Sequence, residues 1–347
     1  FISFAKKMNL KIKKIRTAVI GLGVGAHQAR ALSAHPDCQL VWICDFDKDR
    51  LCKLGLELPE AKQTQDDQDI FNDPDIDLVC IASYDEFHHQ QVVMALKKGK
   101  HVYVEKPICL TKNESQNIYQ TLKAHPHLRL SSNMVLRTCP LFKKVREAVL
   151  SNQMGEIYHL EADYFWGRKE KMISGWRAQA DFFSIIHGAA VHMVDLILWI
   201  TGKKPISVQS FGSRIIAAGT SQRHNDFAML ILRFENQMSV KVTAHGGCVH
   251  PHFHALKVFG KNNSFIHDST GTVWIDSSNP NQDFRPESAT YPAKTMRSEA
   301  LISFISSLVQ NDQNTLVTET EVFDVMSVCL AAEQAVNSEN SVIIEYL

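Results

Sequence analysis

The stretch from Ile15 to Asp45 constrains this chain more than any other. A short apolar run, Ile15–Ile20, leads straight into Gly21-Leu22-Gly23-Val24-Gly25-Ala26. A helical pattern follows through Leu32 and stops at His35-Pro36, and a second β-rich run, Leu40–Cys44, ends on Asp45. Glycines between a strand and a helix let the backbone approach a bound anion closely, and the helix N-terminus then offers free N–H groups and a positive dipole end. Strand, glycines, helix, strand and terminal carboxylate in this order form the fingerprint of a dinucleotide-binding βαβ unit. Gly21, Gly23 and Ala26 fill its three small-residue slots, and the extra Gly25 leaves a Gly-x-Gly-x-Gly register open. Asp45 is suited to accept hydrogen bonds from the adenosine ribose hydroxyls and to repel a 2′-phosphate. No arginine follows it immediately, so the pattern predicts NAD in preference to NADP.

The same alternation continues. Asp77–Ser83 reads as a strand, His88–Lys98 as a helix stopped by Gly99, and Val102–Val104 as a buried strand ending on Glu105-Lys106-Pro107. Ligands of an open α/β sheet bind beyond the carboxyl ends of the strands, which assigns Glu105 and Lys106 to the rim of a crevice. Pro107 cannot continue the ladder and holds Lys106 in an extended or turn conformation. Strands alternating with helices from Ile15 to Arg129 predict a parallel, doubly wound Rossmann sheet over residues 13–133.

Beyond it the pattern changes. Ile157–Trp166, Ile206–Ile215, Phe227–Phe234, Met238–Ala244, Phe253–Phe259, Phe265–His267 and Thr272–Ile275 alternate with period two, with few helices between them. This predicts an α+β domain over 134–347 built on a large, mostly antiparallel sheet. Pro140–Asn152, His187–Thr201, Met296–Gln310 and Glu319–Asn337 read as helices, the last two expected to pack back on the first domain.

With 37 basic and 37 acidic side chains, the chain carries no electrostatic footprint for nucleic acid or an anionic membrane. It holds no apolar run of transmembrane length, and Phe1–Ala5 is too short for a signal h-region; Met8 is a natural beginning. Eight dispersed cysteines without a Cys-x-x-Cys pair fit a reducing cytoplasm. His250, His252 and His254 alternate, but imidazoles two apart on a strand rarely converge on one ion. They read as pocket lining and no metal is expected.

These residues carry a resemblance over nearly the whole chain. Gly21–Ala26, Ile81–His88, Ala95–Pro107, Asn133–Arg137, Gly155-Glu156-Ile157 and His192–Leu196 resemble the glucose–fructose oxidoreductase/inositol dehydrogenase/MocA (Gfo/Idh/MocA) family of NAD(P)-dependent oxidoreductases. Glu105-Lys106-Pro107 is the most specific piece. The resemblance implies that Lys106 lies beside the nicotinamide and the substrate, that its bond to Pro107 is cis, and that His192 acts as acid/base or substrate ligand. Ser83, His88 and Glu105 are then cofactor contacts. Ser83, Tyr84 and Asp85 replace the family's Thr-Pro-Asn, so the loop departs in detail. Many relatives carry an Asp four residues before the His; here Gly188 occupies that slot, so either His187 substitutes or Lys106 and His192 work without it. Asn133 and Trp176 are candidate substrate residues, and Arg137, Arg168 and Arg177 are candidate clamps for a carboxylate or phosphate. Asp195 is a further candidate, bonding locally or fixing the His. The implied activity is a sugar, cyclitol or nucleotide-sugar dehydrogenase, a homodimer or homotetramer assembled through the C-terminal sheet. The rivals are a non-catalytic NAD(P)-binding sensor, favoured by Gly188, and an NAD-dependent glycosidase of the same fold.

Overall fold

The computed structural model describes residues 14–279, 281–282, 284–292 and 294–347. The expectations for Phe1–Ala5, Met8 and a domain start at residue 13 lie outside them. The first domain alternates β1 (Ile15–Ile20), α1 (Gly25–Ala34), β2 (Cys38–Cys44), α2 (Lys48–Glu57), β3 (Lys62–Thr64), α3 (Gln68–Asn72), β4 (Leu78–Ile81), α4 (Asp85–Lys97), β5 (His101–Val104), α5 (Lys112–Lys123) and β6 (Leu130–Ser132). The six strands pair in the order β3-β2-β1-β4-β5-β6, every pair parallel. The order reverses between β1 and β4, which opens a crevice at their carboxyl ends. The central strands read as unbroken apolar runs because both faces are covered; all four residues of β4, Leu78–Ile81, are buried.

The helix starts differ in a way that matters for the site. Asp47 caps α2 through Asp49 N and Arg50 N, and Thr111 caps α5 in a reciprocal box with Glu114. At α1 the N-cap is Val24, whose side chain offers no acceptor. His27 N bonds back to the Val24 carbonyl at 3.1 Å, and no side chain caps the N–H groups ahead of it, which are open to a ligand.

The second domain adds α6 (Pro140–Leu150), β7 (Ile157–Phe165), α7 (Lys169–Ile173), α8 (Trp176–Gln179) and α9 (Val191–Thr201). There follow β8 (Ser207–Ser213), β9 (Phe227–Arg233), β10 (Ser239–His245), β11 (Phe253–Gly260), β12 (Ser264–Asp268), β13 (Gly271–Ile275) and β14 (Arg285–Pro286). The chain closes with α10 (Glu299–Gln310), α11 (Glu319–Ser338) and β15 (Val342–Ile343). The nine strands pair as β14-β13-β12-β11-β7-β10-β9-β8-β15. All pairs are antiparallel except β7 with β10. The helix expected over His187–Thr201 starts instead with a π-helical turn, Ile186–Ala190, and every residue of α9 is buried.

The last two helices part company. Ala300, Leu301, Phe304 and Ile305 of α10 join the core formed by Val19, Leu32, Ile43 and Tyr103, covering one face of the parallel sheet. Helix α11 joins the other core through Val322, Val325, Met326 and Cys329, with α9 and the large sheet, and it too reaches the first domain as expected, its Phe323 meeting the Tyr119 ring of α5 edge-on at 5.2 Å. All eight cysteines are free thiols. Among the described residues no helix is long and apolar enough to cross a membrane.

Candidate active site

Two adjoining cavities lie at the carboxyl end of the parallel sheet. The larger, about 730 Å³, runs along Gly21, Gly23, Asp45 and Ser83 to Lys106. The three glycines of the β1–α1 turn do different work. Gly21 has φ +86° and a Cβ there would collide with the Ala82 carbonyl, so only glycine fits the turn. A Cβ on Gly23 would project into the open cleft, with Arg50 Nη1 at 4.0 Å as its nearest neighbour. A Cβ on Gly25 would come within 3.0 Å of Val19 Cγ1 and 3.1 Å of Ala82 Cβ. The close helix–strand packing assigned to Ala26 therefore falls on buried Gly25, and Ala26 sits half-buried beside it. An uncapped helix, a bare Gly23 and a cleft floor without a blocking side chain fit a dinucleotide pyrophosphate.

Asp45 closes the far end. Its Oδ2 accepts from Leu22 N at 2.6 Å and its Oδ1 from Asp47 N at 2.8 Å. Both oxygens keep a further lone pair for a hydroxyl. Sequence reasoning passed over Arg50, five residues on, which also lines this cleft and pairs with Asp47 at 3.2 Å. It also missed what Tyr84 does: its ring stacks on Trp176 of the second domain, centroids 4.6 Å apart, and meets Phe46 edge-on at 5.6 Å. Trp176 thus lines the dinucleotide cleft, not the inner pocket.

Lys106 lies where the two cavities meet, bordering both with Glu105, Arg177 and Gly188. Its peptide bond to Pro107 is cis. Lys106 Nζ donates to the Gly188 carbonyl at 2.8 Å. At the slot where a relative would carry a carboxylate, the backbone itself holds the ammonium. A Cβ at Gly188 would press on the Phe183 ring at 3.3 Å. Burial pushes the Lys106 ammonium below its ordinary pKa, against the charges of Asp85 and Glu105. Glu105 accepts from Gln28 Nε2 at 2.9 Å and Asn133 Nδ2 at 2.7 Å, and burial raises its pKa despite those bonds. His88 is buried between the Pro107 carbonyl (Nδ1, 2.6 Å) and the Ser83 carbonyl (Nε2, 3.2 Å). It joins the Ser83 loop to the Lys106 turn, while Ser83 Oγ donates to Gln91 at 2.6 Å.

The inner pocket, about 350 Å³, is walled by His192, Tyr164, His252, His254 and Tyr291, with Asn133 and Arg168. His192 stacks on Tyr164 at 5.6 Å and 8°. Its Nδ1 is buried without a hydrogen-bond partner, which leaves Nε2 as the nitrogen through which it can act. Burial, then the charge of Lys106, holds His192 well below the usual imidazole pKa, so the ring is neutral at pH 7 and free to take a proton. His252 and His254 line the pocket as expected of them; His250 turns outward, its Nδ1 near the Pro251 carbonyl at 2.7 Å.

Three expected catalytic or substrate residues are not brought to either cavity. Arg137 and Asp195 are buried in a bidentate ion pair, Nη2 to Oδ1 at 2.7 Å and Nε to Oδ1 at 3.0 Å. Glu321 takes Nη1 at 2.8 Å. Burial works against the Arg137 charge, and the two carboxylates outweigh it and hold its pKa up. The pair fixes α9 to the segment after β6 and touches no ligand space. His187 is buried, with both ring nitrogens unpartnered, and burial lowers its pKa to about 4. It faces the Phe182 ring at 6.2 Å, and neither Lys106 nor His192 bonds to it among the described residues.

Comparison with known proteins follows the same division. Residues 15–133 match the oxidoreductase family described as having an NAD-binding Rossmann fold, and residues 142–266 match the GFO/IDH/MocA C-terminal domain. The chain is similar to the myo-inositol 2-dehydrogenase of Thermotoga maritima, 26% identical over 268 residues, 74% of this chain and 75% of that protein. Its fold is similar to that of the Lactobacillus plantarum myo-inositol 2-dehydrogenase (TM-score 0.80, 21% identity, 96% of this chain and 100% of that one). It is also similar to the Lactobacillus casei scyllo-inositol dehydrogenase solved with NAD(H) and scyllo-inositol (TM-score 0.78, 20% identity, 95% and 99% covered).

Proposed function

The chain belongs to the Gfo/Idh/MocA oxidoreductase family, with an NAD-binding Rossmann domain, and from that premise we propose that it is a dehydrogenase of a secondary alcohol on a sugar, cyclitol or nucleotide sugar. NAD in the larger cleft would accept the hydride from the carbinol carbon. The inner pocket holds the polyol. Neutral His192 takes the hydroxyl proton, since its lowered pKa keeps it a free base at neutral pH. Lys106, steadied by the Gly188 carbonyl, donates to the same oxygen and stabilises its developing negative charge. Asn133, through Glu105, keeps the pocket side of Lys106 polar, and the Tyr84–Trp176 stack shields the cleft from water.

The observation that carries this reading is the position of Lys106 in the wall shared by the two cavities, with His192 on the pocket side. Residues 13–133 thus serve the dinucleotide and 134–347 the substrate. The same reading makes the chain a cytoplasmic homodimer or homotetramer joined through the outer face of its large sheet; a monomer in sedimentation equilibrium would contradict that. The catalytic assignment is tested with Lys106→Met and His192→Ala. Each should leave NAD affinity nearly unchanged and slow hydride transfer about 10²–10⁴-fold, the usual contribution of a positioned acid or base. His187→Ala should not slow it, because His187 borders neither cavity. Full turnover by the first two variants would refute the assignment.

A further inference from the structure

The inner pocket has an unusual charge balance. Six cationic side chains line it, Lys106, Arg168, Lys171, Arg177, Lys294 and Arg297, against one carboxylate, Glu105. Lys171 and Arg177 also border the dinucleotide cleft, where pyrophosphate charge accounts for them. Arg168, Lys294 and Arg297 border only the inner pocket. Among the described residues, none of these three has an ion-pair partner within 4.0 Å, although Lys143, Lys144, Lys204 and Lys241 all do.

These cations are also placed by buried structure. Trp166 N bonds to the His245 carbonyl at 2.9 Å, and Gly167 turns at φ +61° against His250, where a Cβ would collide with the His250 carbonyl. That turn delivers Arg168 to the rim. On the opposite side Tyr291 Oη meets both His254 N and His254 Nδ1 at 2.8 Å. The Tyr291 ring is wedged against His267 at 4.5 Å and Phe253 at 5.1 Å. Lys294 and Arg297 lie within six residues of this anchor and line the same pocket. Arg168 and Arg297 lie near enough to His252 and His254 to depress both rings, after burial. Arg168, Lys294 and Arg297 are all solvent-exposed, so water screens their mutual repulsion, and together they give the pocket mouth a positive potential that draws an anion.

We propose that the substrate is an anionic polyol, bearing a carboxylate or phosphate that Arg168 and Arg297, with Lys294, grip at the pocket mouth while its carbinol reaches Lys106 and His192. This rests on the dehydrogenase reading and narrows it: a neutral cyclitol leaves the three rim cations unanswered. Arginine suits the grip because its planar fork binds either oxyanion through paired hydrogen bonds.

The test uses the full chain with saturating NAD and matched probes: D-glucose and myo-inositol, D-glucuronate, D-glucose 6-phosphate and myo-inositol 1-phosphate. Binding is read by thermal shift and turnover by NADH absorbance. At least one charged probe should bind about 10-fold or more tightly than its neutral parent, since each charge-assisted bond is strong enough to supply such a ratio, and the advantage should shrink at high salt. Arg168→Gln with Arg297→Gln should abolish that advantage and leave affinity for NAD unchanged. A preference for glucuronate identifies a sugar acid; a preference for the phosphates identifies a sugar phosphate. Equal binding of charged and neutral probes, no binding by any probe, or a preference surviving in the double variant would overturn the proposal. Arginine-dependent anion binding without NADH formation would sink the dehydrogenase reading and leave this one standing. Oxidation of neutral and charged probes alike would do the reverse.

Discussion

Arg137 offers a quantitative test of the division between framework and site. Its side chain and that of Asp195 are each 1% exposed. The guanidinium donates through Nε and Nη2 to Asp195 and through Nη1 to the Leu316 carbonyl at 3.0 Å. Arg137→Met keeps much of the volume and removes the charge, leaving Asp195 inside the core with no cation. Removing one partner of a buried pair typically costs about 3–5 kcal/mol, out of a stability of roughly 5–15 kcal/mol. At an m-value of about 3 kcal/mol per molar urea, the unfolding midpoint should fall by about 1 M or more. Asp195 can relieve part of this by binding a proton. The variant's deficit should therefore shrink from pH 8 to pH 5, because a carboxyl raised in the folded state is neutral below its raised pKa. Asp195→Leu added to Arg137→Met should recover most of the loss, since the pair's worth lies in its mutual compensation. Equilibrium urea unfolding by far-UV circular dichroism reads both variants against the parent. A stable Arg137→Met enzyme with a raised KM would refute the reasoning and return Arg137 to the substrate.

Two further outcomes follow from the geometry. Gly23→Ala should weaken NAD binding at least 10-fold in calorimetric titration without lowering stability, because its Cβ enters only the open cleft; Gly21→Ala should lose both, since φ +86° alone disfavours alanine by about 1–2 kcal/mol, and equal behaviour of the two would contradict the division. On acidification, burial holds His187 at about 4 and His254 at about 3. The unfolded chain then takes up protons near pH 6.5 that the folded chain refuses. Stability should be flat above pH 7 and fall between about pH 6.5 and 4, each fully buried histidine costing up to about 3 kcal/mol by pH 4; a urea midpoint constant over that window would show these rings to be solvated.

Much of the first domain was legible because its signals are local. A glycine turn, a strand-end carboxylate and Glu105-Lys106-Pro107 are all short segments whose backbone geometry demands those residue types. The inner pocket was harder to read. Tyr291, Lys294 and Arg297 lie in a stretch whose described residues after Pro286 form a three-residue 3₁₀ turn and no strand before α10, and Tyr291 is hooked into the pocket by His254, 37 residues away. Alternation did place His252 and His254 correctly on one wall. The resemblance misled for Arg137, since an arginine beside a family motif reads the same whether its partner is a substrate or Asp195, 58 residues on. Likewise Gly188 reads as a missing carboxylate until the fold turns its carbonyl toward Lys106.

The return of α10 to the parallel sheet has a consequence for how the molecule comes off the ribosome. The nucleotide sheet has its last strand by Ser132, yet Phe304 still covers Tyr103, ring centroids 6.1 Å apart, beside Leu301 and Ile305. Every strand from β7 to β14 is synthesised between those two points. One flank of the cofactor domain therefore stays bare while the whole substrate domain emerges, and the wall closes only once residue 310 has cleared the exit tunnel. The two halves cannot mature one after the other; the second must be made before the first is finished.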